Sequence, residues 1–348
     1  MSLRFLCLVG VFVLLGATNV EAQENLIQAP LPSCQGKGLS HKWWENRPWI
    51  EPLAASRHEA QSSVFLGKSK PFPFMTKQGI HDIMEFSLGK ETPVIVWDGF
   101  MDLPKREDDD AARDTPIPAR CWGFGIWLSG GAHSVLDFDE HGQPVVDTDF
   151  KGALMVKAAY GLSEQTRLGL RFQICHESSH IPSDFSNGAK AVFGEKFRDI
   201  DVNYECYETS VNLDRIYSWG TLSVRTGAMF AMGRGHPGFY STPGILVPSR
   251  RNWESYVGLQ YMPRKTSGWG PLVSYTAYGF TTYDFNHMSP DEMEALRVSQ
   301  TLVFGLHDFG KSRGVPDFVV RCYTGRNPYG PFRNQNTWKT CGAEMIFR

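Results

Sequence analysis

Residues 166–180 read TRLGLRFQICHESSH, and the alternation within this stretch decides how the chain folds. On one face of an extended chain, apolar side chains give way to polar ones in the order Leu168, Leu170, Phe172, Ile174, His176, Ser178 and His180. The opposite face carries Arg167, Arg171, Gln173, Cys175, Glu177 and Ser179. Because successive side chains of a β-strand point to opposite faces, the stretch predicts a strand at 166–176 with one apolar and one polar side.

Nine more segments of similar length surround it, with no long helical stretch between them. The ten strands are expected at 122–136, 148–160, 166–176, 201–213, 220–231, 253–262, 271–284, 295–306, 315–324 and 336–347. Most are near the length of about 9–11 residues that a tilted transmembrane strand needs. A soluble β-sandwich would show the same alternation, so the strands alone leave both architectures open.

The lengths of the connections favour the membrane barrel. The links after the second, fourth, sixth and eighth strands are short: GLSEQ, DRIYSW, RKTSGWG and HDFGKSRG. The links at 177–200 and 232–252 are much longer. Bacterial outer-membrane barrels have short periplasmic turns, longer external loops and an even number of strands. We therefore predict an all-β fold, an antiparallel transmembrane β-barrel of about ten strands (8–12), with both ends in the periplasm.

The N-terminal part of the chain predicts export and an irregular extension. The chain begins MSLRFLCLVGVFVLLGATNVEA, with one basic residue, a short apolar run and a small-residue cleavage site, which is typical of a secretory signal peptide. We predict a cleaved signal peptide at 1–22 and the barrel at 121–348. The irregular extension is expected at 23–120, with one helix around 78–88 and a short strand at ETPVIVW. Such a chain is expected in the bacterial outer membrane as a monomer.

Composition limits the partners and the cofactors. The formal net charge is −2 and the isoelectric point is about 6.6, so nothing suggests a nucleic-acid partner. The expected partner is outer-membrane lipid, with lipopolysaccharide as the specific candidate. No C-x-x-C pair predicts a zinc or redox site, and no cofactor or metal is expected.

Export makes the cysteines candidates for disulfides. Six lie outside the signal peptide: Cys34, Cys121, Cys175, Cys206, Cys322 and Cys341. Cys322 and Cys341 are nearly equidistant from the loop between the last two strands, so we expect them to face one another on the lipid side, bonded or as thiols. Cys34 would then pair with Cys121. Buried free thiols are the alternative for the whole set.

Five sequence motifs resemble, in order and spacing, a bacterial outer-membrane β-barrel family that is catalogued as a domain of unknown function. They are DTDFKGAL, LRFQICHESSHIPSDF, NYECYE, YTGRNPYGPF and the closing CGAEMIFR. The family signature is a strand that ends in H-x-S-S-H and is followed by a glycine–aspartate pair. This chain has Ile181, Pro182, Ser183 and Asp184 where that family usually reads Leu-Gly-Asp. The resemblance covers roughly residues 120–348, and it implies a location and a fold but no activity.

The polar end of the strand is similar, locally, to the His-x-Ser arrangement of lipid A deacylases. His176 and Ser178 would project toward the membrane near the external leaflet, where polar groups cost little. In those enzymes a serine attacks an acyl ester and a histidine, oriented by a glutamate, is its base. The similarity implies that Ser178 is the nucleophile and His176 the base.

A third member of the triad follows from strand register. If Cys175 opposes Cys206, the antiparallel register places His176 directly opposite Glu205 on the lipid-facing side. Glu177 cannot orient His176 because it points inward. We therefore predict Glu205 as the orienting acid. A slip of one residue would move Glu205 to the other face.

The sequence also allows other interpretations of HESSH and of the barrel. The serines and histidines of HESSH could simply bond the loop backbone at the end of the strand. A metal site from His176 and His180 is third, because these residues lie about 13 Å apart along an extended chain. The second class of function is a narrow pore or a surface-binding barrel whose lumen is lined by Arg167, Arg171, Arg225 and Arg297.

Overall fold

The computed structural model describes residues 39–40, 53–56, 59–70, 79–101, 120–139, 145–163, 166–180, 182–193, 202–217, 219–232, 252–263, 269–281, 296–308, 316–326 and 337–347. Within these ranges the strands are β1 Leu39–Ser40, β2 Ser62–Ser69, β3 His81–Met101, β4 Arg120–Asp137, β5 Val145–Ser163, β6 Thr166–His180, β7 Val202–Tyr217, β8 Gly220–Met232, β9 Asn252–Pro263, β10 Trp269–Thr281, β11 Leu296–Asp308, β12 Asp317–Arg326 and β13 Thr337–Phe347. A single described helix, α1, spans Ser183–Phe193. None of the described helical structure is long and apolar enough to cross a membrane.

The strands from β2 to β13 form a closed antiparallel ring. Each pairs with its neighbours in sequence, and β2 pairs with β13, so the ring contains twelve strands. The two-residue strand β1 adds to an edge of β3 at Trp97 and Val96. The predicted barrel is confirmed, with two strands more than the ten expected.

Both additional strands, β2 and β3, lie in the stretch 23–120 that was predicted to be irregular, so the barrel begins earlier in the chain than expected. The helix predicted around 78–88 is wrong, because these residues belong largely to β3, which pairs with β2 on one edge and β4 on the other. Tertiary pairing overrides the helix-like spacing of the apolar residues there. The ETPVIVW strand is confirmed within β3, and its Pro93 lies at a register shift, where a missing N–H is tolerated. The predicted signal peptide lies outside the described residues.

The outer wall of the barrel is apolar. On β6, Leu170, Phe172 and Ile174 are each 44–48% exposed, and large apolar side chains project in the same way from most other strands of the ring. Near the short β7–β8 turn, the Trp219 ring stacks on Tyr217 at 4.6 Å and contacts Tyr261 at 5.4 Å between centroids. An apolar band with aromatic residues at its edge is the exterior of an outer-membrane barrel.

The interior holds a chain segment that we call the plug, residues 53–56 and 59–61. The Ala54 backbone N–H donates to Gln260 Oε1 at 2.8 Å, and the Ala55 N–H donates to Ser274 Oγ at 3.2 Å. Leu53 is fully buried against Gly258, where a Cβ would collide with its side chain. Glycine at this position of β9 therefore makes room for the plug.

Glu59 of the plug is the centre of a buried ionic network. Arg171 Nη1 donates to Glu59 Oε2 at 2.8 Å, and Arg225 Nη1 contacts Glu59 Oε1. Arg171 also reaches Glu208 Oε1 at 2.5 Å, and the Tyr256 hydroxyl donates to that same oxygen at 2.8 Å. The network ties the plug to β6, β7, β8 and β9. The inner face that was predicted to be polar is thus a packed ionic interior.

Two disulfides cross between neighbouring strands. Cys175 and Cys206 are register partners on β6 and β7, with Cα atoms 4.8 Å apart, and they face inward. Cys322 and Cys341 are partners on β12 and β13, with Cα atoms 4.1 Å apart, on the outer wall. The prediction that Cys322 and Cys341 face one another is confirmed, and the condition that Cys175 opposes Cys206 is met. The predicted pairing of Cys34 with Cys121 involves Cys34, which lies outside the described residues.

Replacing Glu59 by Gln is expected to destabilise the barrel by about 3–5 kcal/mol, because it leaves two buried guanidinium charges without their shared carboxylate. The measurement is urea unfolding of the full chain in lipid vesicles, followed by tryptophan fluorescence. The control is Asp82→Asn, which removes the partner of Lys68 in an exposed pair and should change stability much less. Equal effects of the two substitutions would contradict a role of Glu59 at the centre of the interior.

Candidate functional site

The HESSH residues lie inside a paired strand. β6 continues four residues beyond its predicted end, through His180, and Ser178 pairs with Phe150 of β5 and Asn203 of β7. His176 and His180 are exposed on the outer wall and Ser178 is half-buried there, whereas Glu177 and Ser179 are buried inside. The predicted assignment of faces is confirmed. The backbone of this stretch is therefore paired on both sides, and only His180 stands at the end of the strand.

His176 and Ser178 are neighbours on the same face. Two residues apart on a strand, their Cα atoms are separated by about 6.6 Å by strand rise. This spacing lets an imidazole and a hydroxyl approach each other over the outer surface of the sheet. His180 stands at the same distance on the other side of Ser178, and its ring centroid lies 6.2 Å from that of Phe150.

Glu205 is the register partner of His176, on β7. The neighbouring pair, Cys175 and Cys206, has the short Cα separation of a non-hydrogen-bonded pair. The pair of His176 with Glu205 is therefore the wider type, with Cα atoms about 5.5 Å apart. Glu205 is half-buried on the outer wall. The structure thus brings all three predicted residues, His176, Ser178 and Glu205, to one patch.

The β5 side of the patch is shaped by a glycine and an aromatic ring. Gly152 lies opposite His176, and a Cβ built there meets no atom within 4 Å. Phe150, opposite Ser178, is 47% exposed. Further down β6 the wall becomes apolar at Ile174. The three polar side chains of β6 therefore stand at the border of the apolar band, beside a shallow depression at Gly152.

The same strands are anchored firmly on their inner side. Directly behind His176 and Glu205 lies the disulfide of Cys175 and Cys206. Gln173 Nε2 donates to Glu208 Oε2 at 2.5 Å, which adds a second inner link between β6 and β7. These contacts hold the register on which the outer patch depends.

A second cluster of serine, histidine and aspartate occurs on the inner wall. His81 Nδ1 lies 2.5 Å from Asp137 Oδ2, and Ser69 is the register partner of His81. However, the Ser69 hydroxyl donates to the Lys70 carbonyl oxygen at 2.8 Å, and all three side chains are almost completely buried. This cluster is a structural link between β2, β3 and β4, and the outer patch is the better candidate for chemistry on a lipid.

The described residues contain no group of three or more His, Cys, Asp or Glu side chains arranged to hold a metal ion. Since β6 stays extended, His176 and His180 remain about 13 Å apart by strand rise, too far to share one ion. The extended strand therefore does not bring the two histidines of HESSH close enough together to bind one metal ion.

The chain is similar to solved outer-membrane barrels in architecture. Outer membrane phospholipase A from Escherichia coli matches with a TM-score of 0.47 and 10% identity, over 93% of this chain and 98% of that chain. The Salmonella typhi outer membrane phospholipase, solved as a dimer with bound calcium, matches with a TM-score of 0.45 and 8% identity, over 86% and 94%. The β domain of the Bordetella autotransporter BrkA matches with a TM-score of 0.36 and 10% identity, over 82% and 97%. At these identities the similarity describes the fold alone.

No protein-family model matches the chain, and no curated protein matches it. The resemblance to the barrel family with the H-x-S-S-H signature therefore stays a prediction. The closed antiparallel ring, the apolar exterior and the charged interior are together the features of an outer-membrane barrel.

Sequence reasoning missed the residues that surround the patch. Gly152 and Phe150 become its neighbours only through the register of β5 against β6. Nothing local in DTDFKGAL identifies them, since any other register would place different side chains there. The extension of β6 through His180 was missed because polar residues ended the apolar alternation.

Gly152→Leu should shield His176 without harming the fold, because the added side chain enters open space on the lipid-facing wall. With its Cβ about 4.5–5.5 Å from that of His176, the new side chain is expected to slow modification of the imidazole by diethyl pyrocarbonate severalfold. Mass spectrometry of the His176 peptide measures the rate. Gly130→Leu is the matched control, since Gly130 is equally open but lies one strand further away. Equal rates in both variants and the parent chain would show that Gly152 does not border His176.

Proposed function

We propose that this protein is an outer-membrane hydrolase that cleaves acyl esters of membrane lipid at its outer wall. The observation that carries the proposal is the placement of a serine, a histidine and a carboxylate on one lipid-facing patch. Polar side chains that face lipid are costly unless they lie at the interface. The patch lies at the border of the apolar band, where this cost is small, so a serine, a histidine and a carboxylate can stand together there within reach of lipid.

Each member has a distinct role in the proposed reaction. Ser178 Oγ attacks the ester carbonyl carbon while His176 accepts the hydroxyl proton, and Glu205 orients the imidazole and stabilises its charged form. His176 then returns the proton to the leaving alcohol oxygen, which releases the lyso-lipid and leaves an acyl group on Ser178. Water, deprotonated by His176, attacks this acyl ester, and the fatty acid leaves as the Ser178 hydroxyl reforms.

The position of the patch selects the substrate. A substrate ester must reach Ser178 from the bilayer, with its acyl chain along the apolar wall and its polar group toward the external side. We propose lipid A, the lipid part of lipopolysaccharide, as this substrate, in keeping with the local similarity to lipid A deacylases. We further propose that the protein reaches the outer membrane with a cleaved signal peptide at 1–22 and acts as a monomer.

Purified protein mixed with acyl-labelled lipopolysaccharide is expected to release fatty acid, and Ser178→Ala should reduce the rate at least a thousandfold because the nucleophile is lost. Ser179→Ala is the matched control. Its hydroxyl is buried on the inner wall without a hydrogen-bond partner among the described residues, so its loss should leave both folding and activity unchanged.

A parallel assay with labelled glycerophospholipid in the same detergent distinguishes the lipid class. Release from phospholipid alone would retain the hydrolase and reject lipid A as its substrate. Equal rates in Ser178→Ala and the parent chain would reject the site. Release from neither lipid would leave a binding or structural barrel as the function of this fold.

A further inference from the structure

A cavity of about 210 Å³ lies inside the barrel between the plug and the inner wall. Ala54, Ala55 and Glu59 of the plug line one side, and inward-facing residues of the strands line the other. The acidic lining consists of Glu59, Glu85, Asp149, Glu177, Glu254 and Glu344, and the basic lining consists of Lys151, Arg321 and His133, whose Nε2 lies 3.6 Å from Glu85 Oε2. The cavity is therefore bounded by more carboxylates than cations.

The excess of negative charge remains after the cations behind the lining are counted. Arg171 and Arg225 contact Glu59 from outside the cavity. Arg321 forms ion pairs with both Glu85 and Glu344. Lys157 also acts on Glu59 but is paired with Glu91, and Arg171 is shared with Glu208. Among the described residues, the carboxylates therefore outnumber these cations, which leaves a net negative charge in a site of low dielectric. Such a cavity favours a positively charged occupant.

A buried hydroxyl in the lining points independently to a polar occupant. Thr301 is 1% exposed and lines the cavity, yet its Oγ1 has no hydrogen-bond partner among the residues that the structure describes. Its register partner Thr276 is fully buried, and the Thr276 Oγ1 also has no hydrogen-bond partner among the described residues. Buried hydroxyls without partners are uncommon and unfavourable. A hydrogen-bond donor in the cavity would satisfy Thr301.

We propose that this cavity binds a small organic dication, an alkyl chain with an ammonium group at each end. An ammonium carries three donors and no acceptor, which suits both carboxylates and an unpartnered hydroxyl oxygen. The carboxylates are contributed by β3, β5, β6, β9, β13 and the plug, so they surround the space and do not converge on one point. Since no described cluster is arranged to hold a metal ion, a ligand with two separated charges fits the lining better than a single metal cation.

The size of the cavity sets the size of the ligand. At about 210 Å³ it is smaller than the 300–1,000 Å³ typical of pockets for drug-sized molecules. A diammonium ligand with a short alkyl chain suits this volume, and its methylene groups would lie against Ala54 and Ala55. This site is on the inner wall and is independent of the hydrolytic patch outside.

The test is isothermal titration of the full-length protein in detergent with 1,4-diaminobutane. Saturable binding is expected, with at least tenfold weaker binding of 1-butylamine, which has one ammonium group, and none of 1,4-butanediol, which has no charge. Equal heats for the diamine and the monoamine, or no saturable binding of the diamine, would overturn the proposal.

Thr301→Val locates the binding. This substitution removes the unpartnered hydroxyl at nearly constant volume, so the fold should be at least as stable as before. Diamine affinity is expected to fall about tenfold, and Glu254→Gln should lower it as well. The control is Glu205→Gln on the outer wall, which should leave diamine affinity unchanged. Parent-like affinity in both Thr301→Val and Glu254→Gln would reject this cavity as the site.

Because Glu205→Gln is expected to impair hydrolysis alone and Thr301→Val to impair diamine binding alone, the two proposals fail separately. A protein that binds the diamine through Thr301 but cleaves no lipid would keep the cavity site and lose the hydrolase. The opposite pattern would keep the hydrolase and lose the cavity site.

Discussion

Closure of the sheet between β2 and β13 is the constraint on which the rest of the structure depends. In a bilayer each unpaired backbone N–H or carbonyl group costs several kcal/mol, so an open edge is not tolerated. The eight residues of β2 satisfy the edges of both β13 and β3 and complete the ring. The plug is tethered to this closing strand, because Gln61, its last residue, directly precedes Ser62 at the start of β2. The hydrogen bonds of Ala54 and Ala55 and the ion pairs of Glu59 with the inner wall then hold the preceding residues in the lumen.

The plug and the candidate site are linked through one strand. β6 carries Arg171 and Gln173 on its inner face and His176 and Ser178 on its outer face. Inside, Arg171 binds Glu59 of the plug and Glu208 of β7. Outside, the same register sets His176 against a carboxylate. A strand fixed from within by ion pairs and a disulfide provides the rigid support that a reactive patch on a lipid-facing wall requires.

The features predicted correctly are those encoded by local alternation. The faces of β6 and the register of β6 against β7 follow from side chains that alternate every second residue and from one pair of cysteines. The pairing of Cys322 with Cys341 was predicted from the nearly equal distances of the two residues from the loop between their strands. Once Cys175 is placed opposite Cys206, the antiparallel register alone places His176 opposite Glu205.

The features that were missed depend on contacts distant in sequence. β2 is short and contains small and polar residues, and the apolar spacing at the start of β3 also fits a helix, so neither strand was counted. Glu59 has no local pattern, and its role appears only when Arg171 and Arg225 converge on it from two strands. Gly152 likewise becomes important only through its pairing with His176.

Whether Ser178 is an activated nucleophile is the central question, and covalent labelling of native outer membranes with a fluorophosphonate answers it most directly. The reagent forms a phosphorus–oxygen bond with an activated serine and releases fluoride, so the modified residue can be mapped by mass spectrometry. Modification is expected at Ser178, with loss of that modification in His176→Asn and no modification of Ser179. An unmodified Ser178 in correctly folded barrels, or equal labelling with and without His176, would contradict it.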